Sequence, residues 1–464
     1  MNRANRVDPL WFTTMRRVLV AGLLVALCAA CHRGASPPRH LLLITVDTLR
    51  ADRLGCYGSP LALTPSIDSL ALRSVVFTRA YAPAPFTLAS LSALMTGRYP
   101  EEIGIDWNFS VVPDTVPTLA SVLRSHGWWA GAVVSNYVLR QACGLSAGFD
   151  AYDVTLTELE AHRLIGERTA VGTTDAALRL LDARANHDAP AFLWVHFQDP
   201  HGPYTPPGEL RSRYLGHERK TPDAGRQLAL GADDRGLGAI PRYQFDEGHY
   251  DPAYYRAGYD GEVRHVDAQI GRLLDELTRR GFLERAAVVF AADHGEGLGE
   301  DDYWFAHGEY LTDFLVRVPL LVGAPGVPPQ RRNDVTSLVD LLPTLARLLG
   351  VELPDRHPGR DLLAPGAEQR PSTAYLAGLR EASVPRFGLV KDGYRYLVSV
   401  EQDGPREQLW RTGTDGRPSE DEARELRREL ASFRQAMLAA PGAREQALSE
   451  SDRQKLRALG YLGD

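Results

Sequence analysis

Cysteine is scarce in this chain: four in 464 residues, two of them, Cys28 and Cys31, close to the N-terminus. No CxxC pair occurs, so nothing supports a thiolate metal site. The other two, Cys56 and Cys143, could be joined in an exported protein or remain two buried thiols. An excess of positive charge is also lacking. The formal net charge of −7 gives no reason to expect nucleic acid as a partner. Internal repeats and long low-complexity tracts are absent. The unbroken apolar run from Val18 to Ala30 is too short for a comfortable membrane span. What remains is ordinary for a globular protein, 44% hydrophobic and 24% charged. The length suits one large α/β core with a smaller appendage.

The N-terminal run has the proportions of a signal segment. Met15-Arg16-Arg17 is basic, the apolar stretch follows, and Leu27-Cys28-Ala29-Ala30-Cys31 resembles a bacterial lipobox, with Cys28 where leucine is usual. The expectation is a signal and lipobox over residues 1–31, a tether over 32–39, and a protein exported and lipid-anchored through Cys31 to the cell envelope, facing the periplasm or the surface. An ordinary cleaved signal or an uncleaved anchor is the alternative.

Beyond residue 40, apolar β-rich runs recur at His40–Val46, Trp129–Ser135, Ala191–Phe197, Ala286–Ala292 and Val318–Gly323, with helical stretches between. Such runs imply a largely parallel sheet buried on both faces. Helices are expected at Thr118–His126, Thr174–Ala185 and Tyr255–Arg280. In the last, Val263, Val266, Ile270, Leu273, Leu274 and Leu277 form a core-facing stripe. Residues 205–250 break the rhythm with glycine, proline and charge, as a lid-like insertion would. From about 371 the pattern changes to short strands and the charged helix Ser419–Ala439, a small α+β subdomain. The catalytic domain is therefore placed at 40–370 and the C-terminal subdomain at 371–464.

The polar residues of interest follow the apolar strands, where ligands bind in open α/β sheets. Asp47 follows the first run, Asp293-His294 follows the fourth, and His201 lies shortly after the third. Each alone reads equally as a turn or cap residue; together they set two carboxylates and two imidazoles along one sheet edge. Such mixed O/N donors suit Zn²⁺, Mn²⁺ or Mg²⁺, and less often Ca²⁺. The stretch Pro83-Ala84-Pro85-Phe86-Thr87 gives way to a helix with Leu88, Leu91 and Met95 on one face and Gly97 as its stop. Thr87 thus falls at a helix N-terminus, either as a plain cap or beside N–H groups free for an anion.

These residues resemble the sulfatase family of the alkaline phosphatase superfamily. Ile44-Thr45-Val46-Asp47-Thr48-Leu49-Arg50-Ala51-Asp52-Arg53-Leu54-Gly55-Cys56-Tyr57-Gly58 is similar to its opening segment. Thr64-Pro65-Ser66-Ile67-Asp68, Thr96-Gly97-Arg98-Tyr99-Pro100, Ala292-Asp293-His294-Gly295-Glu296-Gly297 and Trp304-Phe305-Ala306-His307-Gly308 resemble later ones, and Leu456–Leu462 resembles family tails. The resemblance implies a mixed, mostly parallel sheet between helices with a small antiparallel C-terminal subdomain. It also implies that Asp47, Thr87, Asp293 and His294 hold a divalent metal, and that His201 and His307 bind the substrate's non-bridging oxygens or leaving group. In two-metal relatives, histidines at comparable places bind the second ion.

The departures shape the expected chemistry. Thr87, Ala89 and Leu91 stand where the family's signature has cysteine, proline and arginine, so a formylglycine should not form. Thr48 replaces a second aspartate, and Ser135-Asn136-Tyr137 stands where a lysine and a histidine line the anion pocket. Threonine at this point resembles relatives that act on phosphoryl groups, and a cation beside its hydroxyl lowers that pKa enough to make it a nucleophile. The expectation is a hydrolase cleaving phosphate diesters, phosphonates or monoesters, or sulfate esters, through a covalent Thr87 intermediate, on a small-molecule, lipid or glycan substrate. The alternatives are a sulfuric ester hydrolase without formylglycine, a phosphoryl-group transferase on envelope lipids or glycans, and a catalytically silent tethered binding protein. Oligomeric state is left open.

Overall fold

The structure, a computed structural model, describes residues 37–438 and 444–445, apart from 62, 161–164, 224, 371, 379–381, 392 and 412–417. The expected signal and lipobox with Cys28 and Cys31, most of the expected tether and the tail at 456–462 lie outside the described residues.

The run His40–Val46 forms strand β1, buried at all seven positions. A strand buried on both faces is expected to be largely apolar, and this one is apolar apart from His40 and Thr45. In chain order the sheet adds β2 (Val75–Tyr81), β3 (Trp129–Val134), β4 (Ala151–Asp153), β5 (Ala191–Phe197), β6 (Ala286–Ala292), β7 (Arg317–Gly323) and β8 (Gln330–Arg332). Their spatial order is β8-β2-β7-β6-β1-β5-β3-β4, and a ninth short strand, Thr336–Ser337, also pairs with β2. Strand β1 pairs in parallel with β6 and β5, and the β5–β3 and β3–β4 pairs are parallel too. Strand β7 is antiparallel to both β6 and β2. The sheet is thus mixed and mostly parallel. Pro319 is tolerated inside β7 because the register shifts between Val318 and Leu320.

Register fixes where the site must lie. Val46 is level with Ala292 on one side and Phe197 on the other. Asp47, Asp293 and Gln198 therefore emerge together at the carboxyl edge of three adjacent strands.

Helix α1 (Thr87–Thr96) ends at Gly97, whose left-handed φ of 63° lets its N–H reach the Ala93 carbonyl. Every residue of α1 is buried, so it is embedded all round, in contrast to the one apolar face that its sequence suggests. Helix α2 spans Ala170–Asp182, starting four residues before the expected position. The insertion carries a nine-residue helix, α3 (Leu210–Glu218), where the sequence suggested irregular chain. It packs on α4 (Pro252–Arg279), whose buried stripe contains Val263, Val266, Ile270, Leu273, Leu274 and Leu277. Arg256 of α4 binds Glu218 at 2.6 Å and Asp223 at 2.8 Å, tying the insertion down. The insertion also grips the loop that carries His307, because the Tyr243 hydroxyl donates to the Phe305 carbonyl at 2.9 Å.

Four antiparallel strands, β9 (Thr373–Gly378), β10 (Arg386–Lys391), β11 (Tyr394–Glu401) and β12 (Gly404–Arg411), form a second sheet, followed by α5 (Glu420–Leu438). Cys56 and Cys143 are free thiols. No helix among the described residues is long and apolar enough to cross a membrane.

Candidate active site and metal centre

Four of the residues singled out in the sequence converge on one buried point. His294 Nε2 lies 3.7 Å from Asp47 Oδ1, 3.6 Å from Asp293 Oδ2 and 3.4 Å from Thr87 Oγ1. Four donors bonded at about 2.1 Å around a tetrahedral cation would be spaced about 3.4 Å apart. The observed spacings, 3.4 to 3.7 Å, lie close to that figure.

Each carboxylate divides its oxygens. Asp293 Oδ1 accepts from the backbone N–H of Thr48 at 3.2 Å and of His294 at 2.8 Å. Asp47 Oδ2 accepts from the Asn136 amide. Their other oxygens, Asp293 Oδ2 and Asp47 Oδ1, are buried and meet no hydrogen-bond donor. Stranded carboxylate oxygens in an interior cost several kcal/mol, roughly, unless a cation meets them. Burial raises both groups to about 6; a divalent ion would reverse that tendency. The donor set therefore fits a divalent cation of the Zn²⁺, Mn²⁺ or Mg²⁺ kind.

Backbone strain helps to aim the site. Thr48 adopts φ +53°, unusual for a β-branched residue. It is held from both sides, its N–H by Asp293 and its carbonyl by the Tyr259 hydroxyl at 2.8 Å. Such conformations cost about 1–3 kcal/mol and persist where surroundings over-determine them.

Thr87 is the first residue of α1, and Phe86 is its N-cap. Its hydroxyl makes no capping bond, which removes the plain-cap reading. Conversely, the N–H of Leu88 is not free for an anion, because Asn108 Oδ1 accepts from it at 3.0 Å. The hydroxyls deeper in the helix are engaged: Ser90 donates to the Ala84 carbonyl at 2.7 Å and Ser92 to that of Ala89 at 2.9 Å.

Above this point a pocket is lined by Thr87, His201 and His307, with Asn108, Asn136 and Gln198 among its other walls. Among the described residues lining it, none is lysine or arginine. His201 Nδ1 lies 2.7 Å from the Gly202 carbonyl. A carbonyl can only accept, so Nδ1 carries hydrogen and neutral His201 has its lone pair on Nε2. The His201 and His307 ring centroids are 5.2 Å apart, and His307 stands 4.5 Å from His294. His307 Nδ1 is 3.3 Å from Glu296 Oε1, and burial pushes that carboxyl up to about 8.

The six residues picked from sequence thus lie around one site. The sequence reading passed over Asn108, Asn136 as an Asp47 partner, Glu296 and His196. His196, fully buried, groups with Asp47 and Asp293 as possible metal ligands. It lay hidden inside the apolar strand Ala191–Phe197, where a lone imidazole was the available signal.

Comparison with known proteins places the fold. A family model described as Sulfatase matches residues 39–351. Iduronate 2-sulfatase of Mus musculus is 27% identical, the alignment covering 75% of this chain and 76% of that protein. Choline-sulfatase of Rhizobium meliloti is 26% identical, with 69% and 70% covered. Among solved structures, a phosphonate monoester hydrolase of Agrobacterium radiobacter superposes with a TM-score of 0.67 at 21% identity, covering 90% of this chain and 99% of that one. A protein in complex with its substrate D-glucosamine-2-N,6-O-disulfate gives 0.71 at 17% identity, with 87% and 98% covered.

Proposed function

Because the chain belongs to the sulfatase family and is an ester-bond hydrolase, we propose that it cleaves phosphate diesters or phosphonate esters through a covalent Thr87 ester. The observation that carries this reading is the Thr87 hydroxyl, uncapped and 3.4 Å from His294 Nε2, beside two stranded carboxylate oxygens. Asp47, Asp293, His294 and Thr87 would hold the divalent cation. When bound, that ion would lower the pKa of a neighbouring hydroxyl and offset negative charge on the transferring group.

This chain's own residues account for the rest. His294 Nδ1 lies 2.9 Å from the Gly295 carbonyl, so its hydrogen sits there and Nε2 presents a lone pair to the site. Thr87 Oγ1, entering with its hydroxyl proton already lost to solvent, bonds to phosphorus as the bond to the leaving oxygen breaks, and is released again as the deprotonated oxygen when water displaces it. His201, in its protonated form, supplies the leaving oxygen with a proton through Nε2. Once neutral, the same atom takes a proton from the water that hydrolyses the Thr87 ester. His307, backed by Glu296, steadies charge on the non-bridging oxygens.

Among the described residues, the pocket wall carries neither lysine nor arginine, which favours a singly charged reacting group over a dianionic monoester. A sulfate ester is also singly charged and is the second reading, in which Thr87 works without formylglycine. A panel of aryl phosphate diesters, phosphonate monoesters, phosphate monoesters and sulfates decides between them. The expected order of kcat/KM puts diester and phosphonate first. A sulfate at the head of the panel would transfer the assignment to sulfuryl chemistry, and no turnover of any ester would favour a binding protein.

A further inference from the structure

We propose that His196 acts as a positioning residue for the metal site: its Nε2–H holds the outer oxygen of Asp47 while the inner one turns to the cation. The inference rests on the metal site proposed above and differs from the simpler view that His196 is itself a ligand.

The argument is an accounting of hydrogens in a sealed interior. Trp194, Thr45 and His196 are all fully buried. Trp194 Nε1, which can only donate, reaches Thr45 Oγ1 at 2.9 Å. Thr45 Oγ1 lies 2.8 Å from His196 Nδ1. A hydroxyl has one hydrogen. If His196 Nδ1 carried its own hydrogen and donated to Thr45, the hydroxyl hydrogen would need a further buried acceptor, and among the described residues the acceptor set against it is Nδ1. The arrangement that satisfies every group is Trp194 donating to Thr45 and Thr45 donating to Nδ1. Neutral His196 then carries hydrogen on Nε2, the form that cannot bind a cation through that atom.

That Nε2 stands 3.6 Å from Asp47 Oδ2, a few tenths of an ångström beyond a hydrogen bond, with no partner of its own. Oδ2 is the oxygen that already accepts from Asn136, whereas Oδ1 faces His294. Asn136 on one strand end and His196 within β5 thus converge on the same oxygen. Both donors act on the oxygen that the cation does not use, which sets the carboxylate plane. Hydrogen-bonded partners of ligating carboxylates typically control affinity in this way. The register explains the placement, since His196 pairs with Thr45 on β1 and with Val134 on β3, one residue short of the edge on which Asp47 emerges.

The test uses the full chain loaded with Co²⁺, read by X-ray absorption for the number of imidazoles on the metal and by competition for affinity. One imidazole, from His294, is expected in wild type. His196→Leu should keep that count while weakening Co²⁺ binding roughly 10- to 100-fold. His196→Gln, which retains an amide N–H near the Nε2 position, should recover most of the loss. Thr45→Val, which removes the hydroxyl that dictates the tautomer, should also weaken binding. Two imidazoles in wild type falling to one in His196→Leu would overturn the proposal and make His196 a ligand, leaving the parent metal site standing. Unchanged affinity in folded His196→Leu would overturn it as well. If His196→Leu fails to fold, the wild-type count and Thr45→Val still decide. A wild-type chain that binds no Co²⁺ would remove the parent site and this inference with it.

Discussion

Replacing Thr87 by alanine separates chemistry from structure at a single position. The hydroxyl makes one long contact, 3.4 Å to His294, and no cap bond to α1. Its loss should therefore cost well under the ~1 kcal/mol of a working N-cap. The missing methyl adds up to about 0.8 kcal/mol of lost burial. Together these shift Tm by only a few degrees in a chain of this size. Turnover should respond on a different scale. Without Oγ1 there is no covalent ester, and water must attack directly from the pocket that Thr87 lines. A fall of about 10³- to 10⁵-fold in kcat is expected, or about 4–7 kcal/mol. Thr87→Ser should keep measurable activity because a hydroxyl remains, with some loss of positioning from the absent methyl. The assay is steady-state hydrolysis of the best aryl ester, joined to mass spectrometry of quenched enzyme, which should place the adduct on the peptide carrying Thr87. Wild-type turnover by Thr87→Ala would refute the reasoning. So would an adduct on Ser90, whose hydroxyl is bound to the Ala84 carbonyl.

Asp293→Asn should abolish stoichiometric metal binding and lower Tm in the presence of metal, because an ion bound only by the folded state stabilises it; metal analysis and calorimetry check this. Asp199 and Glu262 are buried against each other, and burial first, then their mutual repulsion, keeps Glu262 well above the usual carboxylate range. The folded state holds a proton there that the unfolded chain has lost above about pH 4.5. That contribution is complete below pH 4.5 and is lost as pH rises through the folded value, so urea midpoints of metal-loaded protein should fall from pH 5 to 9. Glu262→Gln should flatten the slope; an unaltered slope would assign it to other groups. Tyr243→Phe deletes the insertion's hydroxyl bond to the Phe305 carbonyl and should raise KM several-fold with little change in Tm; equal loss of both would make the insertion structural. For the export segment, Cys31→Ser should release the protein from membranes, as detergent fractionation would show.

Most of the central sheet was legible because fully buried strands are predominantly apolar along their length. His40–Val46, Ala191–Phe197 and Ala286–Ala292 are bounded as their sequences suggest. Strand β2 escaped because Thr78 and Arg79, only half buried, interrupt its apolar run. The antiparallel direction of β7 has no local signature, since direction is set by the crossover and not by the strand. The site residues could be read because strand ends in parallel sheets gather at one edge. His196 could not be, since an imidazole inside an apolar run shows no partner until the register places Thr45 and Asp47 beside it. Nor could the capping of Leu88 by Asn108, twenty residues on, be read from a local pattern.

The pairing order also governs how such a chain comes into being. Strand β1 is made first, yet its two neighbours, Ala191–Phe197 and Ala286–Ala292, arrive about 150 and 250 residues later. Until then a seven-residue apolar strand waits with both edges open, the condition under which nascent chains associate wrongly and need holding. Pairings so distant in sequence close slowly. Asp47 and the Asp293-His294 pair meet only when the last of these strands docks, so a partly made chain presents no complete cage. Ion uptake is thereby deferred to the end of folding, and the metal held would be the one available where and when the last strand docks.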